Sequence, residues 1–101
     1  MEALYAVLTL EQIKNSAEEI AEKYPVKKLS LFGSYAVGSA TENSDVDLLI
    51  EFRSPSVSLF MLSEIKVELE SLLKTEVDLI HAPIDEGSII KIDEVVDIYE
   101  Q

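Results

Sequence analysis

The 101-residue chain has no cysteine and no tryptophan, a single histidine, three glycines and three prolines. Without cysteine there are no disulfides, thiolate metal sites or cysteine nucleophiles to consider, and a reducing compartment is weakly favoured. Basic residues are also scarce: eight Lys and Arg stand against twenty Asp and Glu, a formal net charge of −12. Long nucleic acids are bound largely through cation–phosphate attraction, so a polymeric DNA or RNA substrate is disfavoured. The surplus acid serves solubility, or suits a basic protein partner. No apolar run approaches the roughly 20 residues that span a bilayer, and Met1-Glu2-Ala3-Leu4 lacks the basic leader of a secreted protein. The expectation is a cytoplasmic protein with no membrane association. No repeat, low-complexity tract or linker interrupts the chain, and 48% apolar residues suffice for one core. Residues 1–101 therefore read as a single domain.

What is present is an alternation of helix and strand. Thr9-Leu10-Glu11-Gln12 has the spacing of a capping box, and Leu10, Ile13, Ala17, Ile20, Ala21 and Tyr24 recur at helical intervals until Pro25, which predicts a helix over 10–24. Lys28 to Phe32 reads as a short strand ending at Gly33, and Ser34 to Val37 as a short helix closed by Gly38. A strand over 45–52 follows and is broken at Ser54-Pro55-Ser56. Val57, Met61, Ile65, Leu69, Leu72 and Leu73 then form the stripe of a long helix. Val77 to Ile80 is a third strand, with His81 a strand-end residue rather than a ligand. Asp85 to Ser88 turns into a last predicted helix, with Ile89, Ile92, Val95, Val96 and Tyr99 on one side and Ile90 and Ile98 outside that stripe.

The chemistry concentrates in Gly33–Leu49, which reads GSYAVGSATENSDVDLL. In the strand that closes it, Val46, Leu48, Ile50 and Phe52 share one face, while Asp45, Asp47 and Glu51 point the other way, because strand side chains repeat every two residues. Two carboxylates aimed at one place repel each other unless something positive lies between them, and a divalent cation with oxygen ligands suits that role. An EF-hand does not fit, since Leu48 and Leu49 follow the aspartates where a calcium loop needs a polar residue and a glycine. No Walker A lysine motif and no G-x-G-x-x-G occurs. Lys23, Lys27 and Lys28 precede the Gly-Ser pair and read either as a solvated approach to the strand or as a local attraction for a small anion.

Gly33-Ser34, then Asp45-x-Asp47 eleven residues after the serine, then a strand carrying Asp78, resembles the minimal nucleotidyltransferases of the DNA polymerase β superfamily, whose pattern is G-S-x(9-13)-[DE]-x-[DE] with a later acidic residue. The similarity spans roughly 27–82. It implies an α+β fold, a small mixed sheet backed by helices in the order α-β-(short α)-β-α-β-α. It also implies three carboxylates holding two magnesium ions, with the triphosphate of ATP over the Gly-Ser turn and AMP passed to an acceptor hydroxyl. On that resemblance Asp45 and Asp47 contact both ions, and Asp78 completes the metal site on the acceptor side, where it can take the hydroxyl proton. Glu76 shares its strand face with Asp78, which leaves a purely solvated role for Asp78 open. Gly33 admits phosphate close to the backbone, Ser34 offers its hydroxyl and N–H, and Ser44 supports the strand entrance or a phosphate.

One position departs from the pattern. Many members carry Gly-Ser-x-Ala-Arg-Gly, whereas here Val37 stands in the arginine's place, which predicts weaker nucleotide affinity unless magnesium or Lys27 and Lys28 compensate. The resemblance further implies a small helical HEPN partner, the pair acting as toxin and antitoxin with a tyrosine hydroxyl as acceptor, and Ile90 and Ile98 are the sequence's candidates for that interface. Self-association is equally compatible. Two alternatives stay open: an antitoxin-like subunit that masks its partner by contact alone, and transfer to a small-molecule hydroxyl, for which an acceptor domain is lacking.

Overall fold

Strict alternation along the aspartate strand is what organises the molecule. In the computed structural model, which describes residues 7–54, 56–81 and 95–101, the elements run α1 (Leu10–Lys23), β1 (Val26–Phe32), α2 (Ser34–Val37), β2 (Val46–Phe52), α3 (Leu59–Leu73), β3 (Val77–His81) and β4 (Val96–Glu100). They form one sheet of order β3-β2-β1-β4. The β1–β2 and β1–β4 pairs are antiparallel and β2–β3 is parallel. Val46, Leu48, Ile50 and Phe52 are buried on one face of β2. There they meet Val26, Leu29 and Leu31 of β1, Val77 of β3, and the inner faces of α1 (Ile13, Ala17, Ile20) and α3 (Ile65, Leu69, Leu73). The opposite sheet face carries Asp47 and Glu51.

Local signals set the helix bounds. Thr9 and Gln12 make the expected reciprocal cap, with Gln12 N–H donating to Thr9 Oγ1 at 3.1 Å and Thr9 N–H to Gln12 Oε1 at 2.8 Å. Helix α1 stops at Lys23, and Tyr24 is its extended cap. Helix α3 begins two residues later than Val57, because the Ser58 hydroxyl accepts from Met61 N–H at 3.1 Å and fixes the first turn at Leu59. No described helix is long and apolar enough to cross a membrane.

The chain's last described element differs from the expectation. Residues 96–100 are a strand pairing with β1, not the end of a helix; residues 82–94, which include the rest of that predicted helix, lie outside the described residues. A run of Val-Val-Asp-Ile-Tyr satisfies both a helical and an alternating pattern over so short a length. Its β-branched and aromatic residues favour the pleated surface, and pairing with β1 satisfies backbone groups that an open edge would leave exposed. Ile98 is consequently a core residue, 6% exposed, and not an interface position; Ile90 lies outside the described residues.

Ile50 sits at the centre of this core with no exposed surface. Truncating it to alanine is expected to cost about 2–5 kcal/mol, measured as a lower urea midpoint with an unchanged transition slope.

Candidate active site

Strand register brings the motif together. Phe32, the last residue of β1, lies opposite Asp47 of β2, and Asp47 lies beside Asp78 of β3. Neighbouring strands are about 4.8 Å apart, so Phe32, Asp47 and Asp78 fall in one row across three strands, with Gly33 following directly after Phe32. Asp45 precedes Asp47 by one strand repeat, about 6.7 Å, and is exposed at the strand mouth, as is Asp78 at the sheet edge.

Gly33 makes this arrangement possible. Its backbone adopts φ 75°, ψ −154°, a region essentially reserved for glycine, and the chain turns there from β1 into α2. The Asp47 side chain packs over the vacant side of that residue. A Cβ placed on Gly33 would land on the Asp47 carboxylate oxygen and stand only 3.1 Å from Cγ and 3.3 Å from Cβ. Its carbonyl accepts from Ala36 N–H at 3.0 Å and Val37 N–H at 3.2 Å, so the turn is held by the short helix that follows. Gly38 (φ 81°) closes α2 in the left-handed region, with Ser39 N–H donating to Ser34 O at 3.0 Å.

The electrostatics reflect crowding of like charges. Asp47 has its carboxyl pushed up to about 6, chiefly by partial burial, then by a hydrogen bond to Asp78 and its charge, and last by the charge of Asp45. Asp78, beside Asp47 in the strand register, thus acts on it more strongly than Asp45 does. Among the described residues no three acidic or histidine side chains are gathered tightly enough to hold a cation as they stand. The donor chemistry nevertheless fits one: carboxylate oxygens only, two on paired positions of neighbouring strands and a third one repeat away, with no cation acting on Asp47 itself.

The remaining candidates are placed as follows. Ser34 opens α2 directly after Gly33. The Ser44 hydroxyl is taken up in the turn before β2, accepting from Thr41 N–H at 2.8 Å, with Ser44 N–H returning to Thr41 O at 3.0 Å. Val37 is 52% exposed on α2. Lys27 and Lys28 do not reach this end of the sheet: they start β1 where Phe32 ends it, and their ammonium groups lie 3.7 Å from Glu51 and 3.5 Å from Asp97. Lys23 is engaged by Glu68. The expected lysine compensation for Val37 is therefore absent, because an extended strand carries Lys28 about 13 Å from Phe32. His81 stacks edge-on against Phe52, ring centroids 5.3 Å apart, in keeping with a strand-end role. Glu76 lies just before β3, where its carbonyl accepts from Val46 N–H at 3.0 Å.

Sequence reasoning missed Lys66 and Glu70. Glu70 accepts from Lys66 Nζ at 2.8 Å and from Val77 N–H at 3.1 Å, tying α3 to the start of β3 one residue before Asp78. The Lys66 pKa is raised, first by the hydrogen bond to Glu70 and further by the charges of Asp78 and Glu76, so a cation lies within electrostatic reach of Asp78. Their i,i+4 spacing was the available signal.

Comparison with known proteins agrees with this geometry. The nucleotidyltransferase domain family matches residues 13–99. A Methanocaldococcus jannaschii relative is 44% identical over 70 residues, 69% of this chain and 70% of that one. The protein adenylyltransferase MntA of Thermococcus cleftensis is 41% identical over 80 residues, 74% and 79% of the two chains. Among solved structures, a toxin–antitoxin structure with AMP-PNP superposes with a TM-score of 0.68 at 18% identity, over 87% of this chain and 73% of that one. A Shewanella oneidensis complex of tri-AMPylated HEPN toxin with MNT antitoxin gives 0.67 at 15%, over 92% and 74%. At such identities the two structures bear on the fold alone. With the family match and the sequence relatives in accord, the chain belongs to the nucleotidyltransferase domain family, as one of its minimal nucleotidyltransferases.

Proposed function

We propose that this nucleotidyltransferase moves AMP from ATP to a hydroxyl of a protein partner, a HEPN-type toxin that it thereby neutralises: the hydroxyl oxygen bonds to the α-phosphorus as the bond from that phosphorus to the oxygen bridging the β-phosphate breaks, and pyrophosphate leaves. The observation that carries the reading is the seating of the Asp47 carboxylate on side-chain-free Gly33, beside Asp78 and depleted of positive charge. Asp45, Asp47 and Asp78 would hold magnesium, which when bound lowers the charge on the phosphates and on the attacking oxygen. Gly33 leaves room for a phosphate to lie against the backbone, and Ser34, the next residue, would offer its hydroxyl and N–H to it. Asp78, on the edge strand and open to solvent, is the group that takes the acceptor hydroxyl's proton. Relatives named protein adenylyltransferase and the AMPylated toxin in a related complex support both the nucleotide and the acceptor class. ATP and magnesium are abundant in the cytoplasm, which is where this reaction would run.

Incubation with α-32P-labelled ATP, magnesium and the HEPN partner should label the partner. Asp45→Asn combined with Asp47→Asn should lower the rate by about a thousandfold or more, in keeping with removal of charge-stabilising groups from a transition state. Labelling that survives both substitutions would overturn the assignment.

A contact-only antitoxin is the second reading, favoured by one observation: Val37 replaces the arginine and neither Lys27 nor Lys28 substitutes for it. On that reading the double aspartate variant neutralises the partner as well as the wild type, with no label transferred by either.

A further inference from the structure

Across the sheet from the aspartates, α3 carries a second apolar stripe that the core does not use. Its inner face buries Ile65, Leu69 and Leu73. Phe60, Ser63, Val67 and Ser71 recur on the outer face at intervals of three and four, where Phe60 is 84% and Val67 63% exposed, with Leu59 beside them at 80%. Together with Tyr24 at the end of α1, Phe60, Ser63, Glu64, Val67 and Glu68 line an open groove of about 510 Å³. Large apolar side chains standing together in water, rather than singly, mark interaction sites.

The rim tells the two kinds of occupant apart. Glu68 accepts from Tyr24 Oη at 3.0 Å and from Lys23. Glu19 lies near enough to help hold Lys23 charged, and the Tyr24 hydroxyl, raised first by desolvation and then by its hydrogen bond to Glu68, also feels the charge of Glu64. Two carboxylates, Glu64 and Glu68, thus line the groove, with Glu19 further back acting on the Lys23 ammonium that Glu68 engages. A second copy of this chain would bring the same carboxylates to face them, and each copy carries a net charge of −12.

We propose that this groove receives an amphipathic helix of a partner protein, with large apolar side chains along its centre and Lys or Arg on its flanks. The small side chains of Ser63 and Ser71, either side of Val67, leave depressions for the partner's apolar groups, as in knobs-into-holes packing, while the basic flanks meet Glu64 and Glu68. This rests on the reading above that the acceptor is a protein, and it adds that the partner is gripped on the helical back of the domain while its hydroxyl is delivered to the open sheet face. Gripping and modification then depend on separate residues.

The test titrates the isotope-labelled full chain with a synthetic helix-forming peptide of about 18 residues, leucine along one stripe and lysine on the flanks, and with its glutamate-flanked counterpart. Amide shifts should centre on Phe60, Ser63, Glu64 and Val67, with the glutamate peptide at least about tenfold weaker. Phe60→Asp with Val67→Asp should abolish the shifts yet keep the wild-type melting temperature, both positions being exposed. Equal binding of the two peptides, no binding, or shifts confined to the aspartate face would overturn the proposal. So would a wild-type dimer in sedimentation that the double variant lacks, or contacts in the free protein from Phe60 to residues 1–6 or 82–94. The arms stay distinct from the proposed reaction. Phe60→Asp/Val67→Asp should retain the heat of magnesium–ATP binding, and Asp45→Asn/Asp47→Asn should retain peptide binding.

Discussion

Replacing Gly33 with alanine should both unfold and silence the protein. Two independent terms act. At φ 75°, ψ −154° a residue with a Cβ is strained by about 1–3 kcal/mol. The added methyl would also collide with the Asp47 carboxylate, an overpacking cost of about 1–3 kcal/mol more. The sum, about 2–6 kcal/mol, is a large part of the 5–15 kcal/mol that holds a typical domain together. If enough folded protein remains to assay, Asp47 will have been pushed aside, and a displacement of about 1 Å at reacting groups costs on the order of a hundredfold in rate. Denaturant midpoints measure the first effect and label transfer the second. Gly38→Ala is the matched control. It also has positive φ, but nothing lies within 4 Å of its added Cβ, so only a left-handed backbone cost of about 1–2 kcal/mol remains. Adding Asp47→Ala to Gly33→Ala should recover the collision term alone. Equal losses for Gly33→Ala and Gly38→Ala would show that Asp47 does not occupy that space.

Asp47→Asn should move stability and activity in opposite directions. The folded-state carboxyl is raised from 3.8 to about 6, so the folded chain binds that proton more tightly than the unfolded chain. The resulting stabilisation is complete below about pH 4 and is lost as pH rises through 6. At neutral pH the wild type therefore carries a charge that its surroundings resist, a burden of about 1–2 kcal/mol once partial access to water is allowed for. An amide of the same shape carries no charge. Melting curves in chelator from pH 3.5 to 8 should diverge through the window, the wild type losing stability relative to Asp47→Asn as pH rises, with the variant more stable at pH 7. Added magnesium should restore wild-type stability and leave the variant unmoved. The label-transfer rate of the variant should drop about a thousandfold. A variant that melts below the wild type at pH 7 in chelator would contradict the proposed crowding of the three carboxylates.

Much of this was legible in the residues themselves. The β2 face containing Val46, Leu48, Ile50 and Phe52 follows from period-two alternation, and the cap at Thr9 follows from a four-residue pattern, because both depend on neighbours in sequence. Asp45, Asp47 and Asp78 as a set came from a family pattern. The juxtaposition of Asp47 with Asp78 depends on which strands pair, which no local period encodes. Where local patterns were ambiguous or silent, the expectation failed. Residues 96–100 fit two periods and took the one that β1's unpaired edge rewarded, burying Ile98. Lys27 and Lys28 lie near Gly33 in sequence and at the opposite end of β1 in space, since an extended chain separates what a helix would keep together.

The pairing of Phe32 with Asp47 also explains something about the motif's grammar. Turn and carboxylates are married through a hydrogen-bonded ladder, not through the peptide that joins them, and residues 38–43 merely have to return. A detour of a few residues there leaves the alignment intact, since lengthening a loop costs little free energy. The interval between Ser34 and Asp45 can thus be elastic while Gly33 is held to one residue type by its backbone angles and by Asp47.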